Sequence, residues 1–181
     1  MAQVHRAKLL GGADVAVKVQ HRELAGQIEG DLRMMHCFSD LAKMVFDDFA
    51  YEWLVEGFDR NIRKELDFKI EAANMKRASR FLEENGFKNV YVPLLKLEPT
   101  QRVLVTEFIE GVHIDQVGIM RQMGVNLKKM GKLFSKVIIK MIHKEGFVHA
   151  DTHTGNMMVR KVNKKDQLVL LDHGIYQELD D

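Results

Sequence analysis

His149-Ala-Asp151-Thr-His153-Thr-Gly155-Asn156, followed by Leu170-Leu171-Asp172-His173-Gly174, decides the reading of this chain. An aspartate is followed by an asparagine five residues on, and a second aspartate lies beyond a short apolar strand. Phosphoryl transfer needs this layout. One carboxylate orients the attacking hydroxyl, while the amide oxygen and the second carboxylate hold Mg²⁺ against the phosphates. Mg²⁺ takes only one or two oxygens from the protein, so a sparse ligand set of Asn156 and Asp172 is sufficient. Asp151 is the catalytic candidate.

Working outward, Val15-Ala16-Val17-Lys18 supplies the third element, an apolar strand with one lysine whose ammonium pairs with nucleotide phosphates and a helix glutamate. Singly, each motif is weak, since a strand lysine is commonly a solvated edge residue and Asp near Asn is common loop chemistry. In this order, and between these elements, they predict an α+β, kinase-like fold.

Around the motifs, residues 2–9 and 14–20 read as an antiparallel pair turned at Gly11-Gly12. The stretch from Arg22 to Glu84 lacks proline and is rich in helix formers; it predicts two or three helices with breaks near Ser39-Asp40 and Asp47-Asp48. In the last of these, Phe58, Ile62, Leu66, Ile70 and Ala73 follow helical spacing, which places Glu65, Asp67 and Glu71 on one helix. Asn85-Gly86 stops it. Short strands are predicted at 88–92 and 102–107, the latter ending at Glu107, and Phe108–Gly111 reads as a hinge. Residues 126–145 form an amphipathic helix closed by Gly146, and strands at 157–161 and 167–171 bracket a basic turn.

The bulk properties are those of one globular domain: 181 residues, 46% apolar and 29% charged. A complete domain of this size buries roughly 70% of its unfolded surface. Cys37 is the single cysteine, which excludes an intrachain disulfide and points to a reducing compartment. No apolar run reaches the ~18 residues of a membrane span, and the N-terminus carries no recognisable targeting segment. Net charge is +1, yet Arg121 to Lys165 holds eleven Lys/Arg against Glu145 and Asp151. That field favours anionic partners, a nucleotide, a membrane surface or a nucleic acid, although a solvated lysine face is the simpler reading. No nucleic-acid partner is expected. Lys128, Lys132, Lys136, Lys140 and Lys144 recur every fourth residue, a pattern that suits a lipid surface, but core packing of this helix is the preferred reading.

With these landmarks in order, the chain resembles the aarF-domain-containing (UbiB-like) atypical kinase family, mitochondrial branch, through nearly all its length. The resemblance rests on Ala2-Gln-Val-His5, Val15-Ala-Val-Lys-Val-Gln20, Glu65-Leu-Asp67-Phe-Lys-Ile-Glu71-Ala, Gly146-Phe-Val-His-Ala-Asp151 and Leu170-Leu-Asp-His-Gly174, with His173 where phenylalanine is usual. It implies a two-lobed protein-kinase-like fold binding ATP or ADP with Mg²⁺. The small lobe with its helical insertion would occupy residues 1–110, and the start of the large lobe residues 111–181. It also implies a role in lipid or coenzyme Q homeostasis and a mitochondrial location. By position, Lys18 is the phosphate-binding lysine and a catalytic residue beside Asp151. Glu71 is its helix partner, with Glu65 as rival, and Glu65 and Asp67 form the family's E-x-D motif. Glu107 joins the cofactor-binding set, and Asn156 and Asp172 are the metal ligands.

Departures from the pattern set further expectations. The family's alanine-rich loop lies just before Ala2-Gln-Val-His5, where this chain has Met1, and most of the helical base of the large lobe lies beyond Gly174. A chain truncated at both ends is expected, weakly active or inactive, with exposed apolar surface open to a protein partner. Asp-Pro-His-Pro-Gly-Asn has become Asp151-Thr-His-Thr-Gly-Asn156, which loosens the catalytic loop. Three alternatives stand beside the kinase or ATPase reading: a small-molecule phosphotransferase of the aminoglycoside or choline kinase type, a non-catalytic scaffold, and a zinc hydrolase built on His149, Asp151, His153, Asp172 and His173.

Overall fold

The computed structural model describes residues 2–45 and 52–179. Strands β1 (Ala2–Lys8) and β2 (Asp14–Gln20) form the expected hairpin, in register from Ala2↔Gln20 to Lys8↔Asp14. Gly12 adopts φ +84°, a conformation that a side chain would strain, and donates to the Leu9 carbonyl at 2.8 Å. β2 is the middle strand, since its other edge pairs with β4 (Val103–Glu107) and sets Lys18 opposite Leu104. Alternation along β2 sends Val15 into the core and leaves Ala16 and Lys18 on the cleft side.

Three helices follow: α1 (Leu24–Val45), α2 (Glu52–Glu65) and α3 (Phe68–Glu84). The break expected at Ser39-Asp40 does not occur. Ser39 is buried within an unbroken α1, and one Ser and one Asp cost a helix only a few tenths of a kcal/mol each, about what packing readily overrides. Asp47-Asp48 lies outside the described residues. The single helix expected through Phe58, Ile62, Leu66 and Ile70 is in fact two, so Glu65, Asp67 and Glu71 do not ride on one helix. The chain leaves helical geometry at Asp67 (φ −117°, ψ 100°), whose carboxylate caps α3 by accepting from the Lys69 amide at 2.9 Å. The Phe68 amide is held by the Gln101 carbonyl. Phe58 then sits half-exposed on α2. Asp67→Ala should therefore cost about 1 kcal/mol of stability, read by urea denaturation. No loss at all would show that the cap contributes nothing.

Asn85 and Gly86 (φ +72°) end α3 as the sequence predicts. β3 (Val90–Tyr91) runs parallel to β8 (Lys165–Leu170), which pairs with β7 (Met157–Val162), which pairs with β5 (Val112–His113). The β7–β8 turn carries Asn163 and Lys164 at positive φ, the geometry of a tight hairpin. A short α4 (Val117–Gln122) precedes α5 (Leu127–Lys140), whose last turn widens into a π-helical turn, Met141–Glu145, closed by Gly146 at φ +60°. β6 (Phe147–His149) and β9 (Tyr176–Glu178) make a two-stranded ladder with His149 opposite Tyr176.

One apolar cluster joins these parts. Phe68, Ala72, Met75, Ala78 and Phe81 of α3 pack with Leu104, with Val137 and Met141, and with Val159, Leu168 and Leu170. α3 thus stands between the N-terminal sheet and the C-terminal hairpins, and it fixes Glu71 at their junction. Along α5 and the π-helical turn that follows it, Met130, Val137 and Met141 are buried, while Ile142 is exposed. Among the described residues no helix is long and apolar enough to cross a membrane.

Candidate active site

The site begins with one cation between two acids. Lys18 Nζ donates to both oxygens of Glu71 at 2.9 Å and to Asp172 Oδ2 at 3.0 Å. Residues 53 and 154 positions away meet it because β2, α3 and the segment after β8 converge. Burial favours the neutral amine, but the two carboxylates outweigh it and hold the Lys18 pKa above its ordinary value. Glu71, nearly fully buried, is pushed up to about 7, chiefly by desolvation; Lys18 opposes that rise and the Asp172 charge adds to it. Asp172 also loses solvation, yet Lys18 keeps its pKa below the usual carboxylate range.

The catalytic loop approaches from the other side. Asn156 Nδ2 donates to the Asp151 carbonyl at 3.1 Å and to Asp151 Oδ2 at 2.9 Å. With both amide contacts made by nitrogen, Asn156 Oδ1 is left as an acceptor. Asp172 Oδ1 accepts from the Gly174 amide at 3.0 Å, which orients that carboxylate. A neutral amide oxygen plus one carboxylate is a donor set that fits Mg²⁺, which completes its shell with phosphate and water.

Under the loop lies an aromatic stack. The rings of Phe147 and Tyr176 are 4.2 Å apart, and His149 and His173 pack against Tyr176. His173 is fully buried. Its Nε2 faces the Leu170 carbonyl at 3.1 Å, so the proton sits there, and Nδ1 accepts from the Tyr176 hydroxyl at 2.9 Å. Burial, with His149 close by, pushes its pKa down to about 4. His149 is lowered in the same direction by desolvation, and its Nδ1 accepts from the Asp151 amide at 3.2 Å. These rings hold the backbone on which Asp151 and Asp172 sit.

Two cavities share Lys18, Glu71 and Asp172. One, of 420 Å³, adds Asn156 and an apolar slot that includes Ala16, Leu104, Phe108, Ile109 and Met158. The other, of 380 Å³, adds Asp151, His153, Gln20 and Phe68. Lys18, Glu71, Asn156, Asp172 and Asp151 are thus brought together. Glu107 lines the first cavity, but its carboxylate is engaged elsewhere: Oε2 accepts from the Tyr91 hydroxyl at 2.5 Å, and Oε1 lies 3.5 Å from Arg160 Nη1. Asp67 caps α3 and lines neither cavity. Glu65 closes α2, and its side chain lies outside the described residues. Sequence reasoning missed the apolar slot, although Ala16 was findable by stepping back two residues from Lys18 along the strand. Among the described residues no trio of His, Cys, Asp or Glu is placed to hold a metal, and His173 has both ring nitrogens occupied; the zinc arrangement is not formed.

Comparison with known proteins follows the same line. A family profile described as the ABC1 atypical kinase-like domain matches residues 1–181. The chain is 39% identical over 185 residues to a probable serine/threonine-protein kinase, abkD, of Dictyostelium discoideum, spanning 100% of this chain and 26% of that protein. It is 37% identical over 182 residues to AarF domain-containing protein kinase 1 of Gallus gallus, spanning 99% of this chain and 35% of that protein. The chain therefore spans about a quarter to a third of the length of these relatives. In fold it is similar to a Mycobacterium tuberculosis protein solved in complex with erythromycin, with a TM-score of 0.81 at 24% identity, covering 98% of this chain and 44% of that one. The architecture is protein-kinase-like.

Proposed function

This chain belongs to the ABC1 atypical kinase-like family, and on that footing we propose that its cleft binds ATP or ADP with Mg²⁺ for phosphoryl transfer or ATP hydrolysis. The carrying observation is the convergence of Lys18 Nζ on Glu71 and Asp172 within 3.0 Å, beside a cavity that also reaches Asn156. The apolar slot between Ala16, Leu104 and Met158 suits a flat base, and the polar end suits the phosphates. Lys18 neutralises phosphate charge and is held in place by Glu71. Asn156 Oδ1 and Asp172 would hold Mg²⁺, which when bound neutralises charge on the phosphate oxygens.

Asp151 lines the second cavity, from which an acceptor hydroxyl would approach. The acceptor oxygen forms a bond to the γ-phosphorus as the bond from that phosphorus to the bridging oxygen breaks. ADP leaves with the electron pair, and the acceptor proton passes to Asp151. With water as acceptor the same step is ATP hydrolysis. The family resemblance carries the proposal that this chemistry serves lipid or coenzyme Q homeostasis in mitochondria.

The test is thermal denaturation and calorimetry with ADP and ATP, each with Mg²⁺ and with EDTA. At nucleotide about 100-fold above Kd, a gain of about 2.7 kcal/mol is expected with Mg²⁺, and much less with EDTA. A melting temperature indifferent to millimolar MgATP would overturn the assignment.

A further inference from the structure

The acid side of the catalytic loop holds an asymmetry that the residue types alone do not explain. The two oxygens of Asp151 are unequal. Oδ2 takes the Asn156 amide at 2.9 Å and has His153 Nε2 at 3.7 Å. Oδ1 accepts no hydrogen bond among the described residues. The His153 ring is tethered at one nitrogen. Its Nδ1 accepts from the Gly155 amide at 3.0 Å, and a nitrogen that accepts holds no proton, so the neutral ring carries its hydrogen on Nε2, the atom nearest Asp151. Gly155 lies close to the ring. A Cβ there would stand 2.9 Å from His153 Cε1 and 3.1 Å from Nδ1, closer than side chains approach.

We propose that His153 is a positioning residue for Asp151, its pinned ring presenting an Nε2–H donor to Oδ2 so that Oδ1 is reserved for the acceptor hydroxyl. The proposal rests on the phosphoryl-transfer reading above. With Oδ2 engaged by the Asn156 amide and faced by His153 Nε2, Oδ1 is the unengaged oxygen, open to the acceptor hydroxyl. The 3.7 Å separation is looser than a hydrogen bond, as catalytic contacts commonly are before substrate closes the site. His153 lines the 380 Å³ cavity together with Asp151, so an incoming acceptor meets both.

The rival role is structural. His153 caps the short 3-10 turn Thr154–Asn156, and a cap needs only the acceptor at Nδ1. His153→Asn separates the two roles. The asparagine Oδ1 caps the same amide, but its shorter side chain leaves no donor at the Nε2 position. If His153 positions Asp151, His153→Asn keeps the melting temperature and the KM for MgATP, and kcat falls about 10-fold to 100-fold. An unchanged kcat would reduce His153 to a cap and overturn the proposal. Nitrogen NMR of the ring gives a readout that needs no turnover: the Nε2–H tautomer is expected in the wild type, and Gly155→Ala, which displaces the ring, should lose that single tautomer and lower kcat with it. A wild-type ring protonated at Nδ1 sinks the proposal outright. Absence of both MgATP binding and turnover in the wild type would instead remove the functional reading, and the tautomer would still decide how the ring is oriented.

Discussion

Lys18→Met is expected to abolish the stabilisation that MgATP gives the wild type. In a domain of this size the wild-type gain of about 2.7 kcal/mol at saturating nucleotide corresponds to a melting shift of roughly 5–10 °C; the variant should show none. The substitution removes the ammonium placed between Glu71 and Asp172. It also carries a cost of its own in the absence of nucleotide. Breaking a buried pair leaves a buried charge and costs about 3–5 kcal/mol when that charge cannot neutralise. Glu71 can neutralise, since burial already lifts its pKa to about 7, and Asp172 is partly open to solvent, so about 1–3 kcal/mol is expected. The comparison should therefore be made as the nucleotide-induced shift within each protein. Lys164→Met, on the exposed β7–β8 turn, is the control and should keep the full shift. A Lys18→Met protein that still responds to MgATP would disprove phosphate binding at this lysine.

His173→Phe should change how stability depends on pH. The buried imidazole has its pKa pushed down to about 4 from an ordinary 6.5, while the unfolded chain protonates near 6.5. The unfolded state therefore binds the extra proton first as pH falls. Stability from this group is full above about pH 6.5 and drains away between 6.5 and 4. His149, also depressed by burial, acts in the same direction. Glu71 acts oppositely: with a folded pKa near 7 against an ordinary 4.5, its contribution is full below 4.5 and is lost as pH rises through 7. The groups facing His173 are His149, Asp172, Lys18 and Tyr176. Their own titrations largely cancel when variant and wild type are compared at each pH. At neutral pH the variant loses about 1–3 kcal/mol, because the Leu170 carbonyl and Tyr176 hydroxyl lose their partner. On acidification it should recover about 2–3 kcal/mol relative to wild type by pH 4.5. Urea titrations at pH 4.5, 5.5 and 7.5 decide this, and parallel curves would mean that His173 does not protonate on unfolding as described.

Legibility in the sequence differed by the range of the interaction. The hairpin at Gly11-Gly12, the stop at Asn85-Gly86 and the helix closed by Gly146 were all readable, because each is set by a few adjacent residues and a backbone angle. The break at Leu66-Asp67 was not. Residues four apart keep an apolar stripe across a single capped junction, so periodicity passes through a helix end without registering it. Glu107 shows the other limit. Its carboxylate is claimed by Tyr91 and by Arg160, 16 and 53 positions away, and no local pattern reports such partners.

From the order of its residues alone this protein is an α+β, kinase-like domain with Lys18, Asp151, Asn156 and Asp172 as its polar landmarks, since spacing along strands and loops fixes which side chains share a face. Only the folded chain decides that Glu71 meets Lys18, that Asp67 spends its carboxylate on a helix cap, and that Glu107 turns toward Tyr91 and Arg160. Those outcomes depend on burial and on hydrogen-bond partners brought together from distant segments, and each polar group settles with whichever partner best replaces the water it has lost.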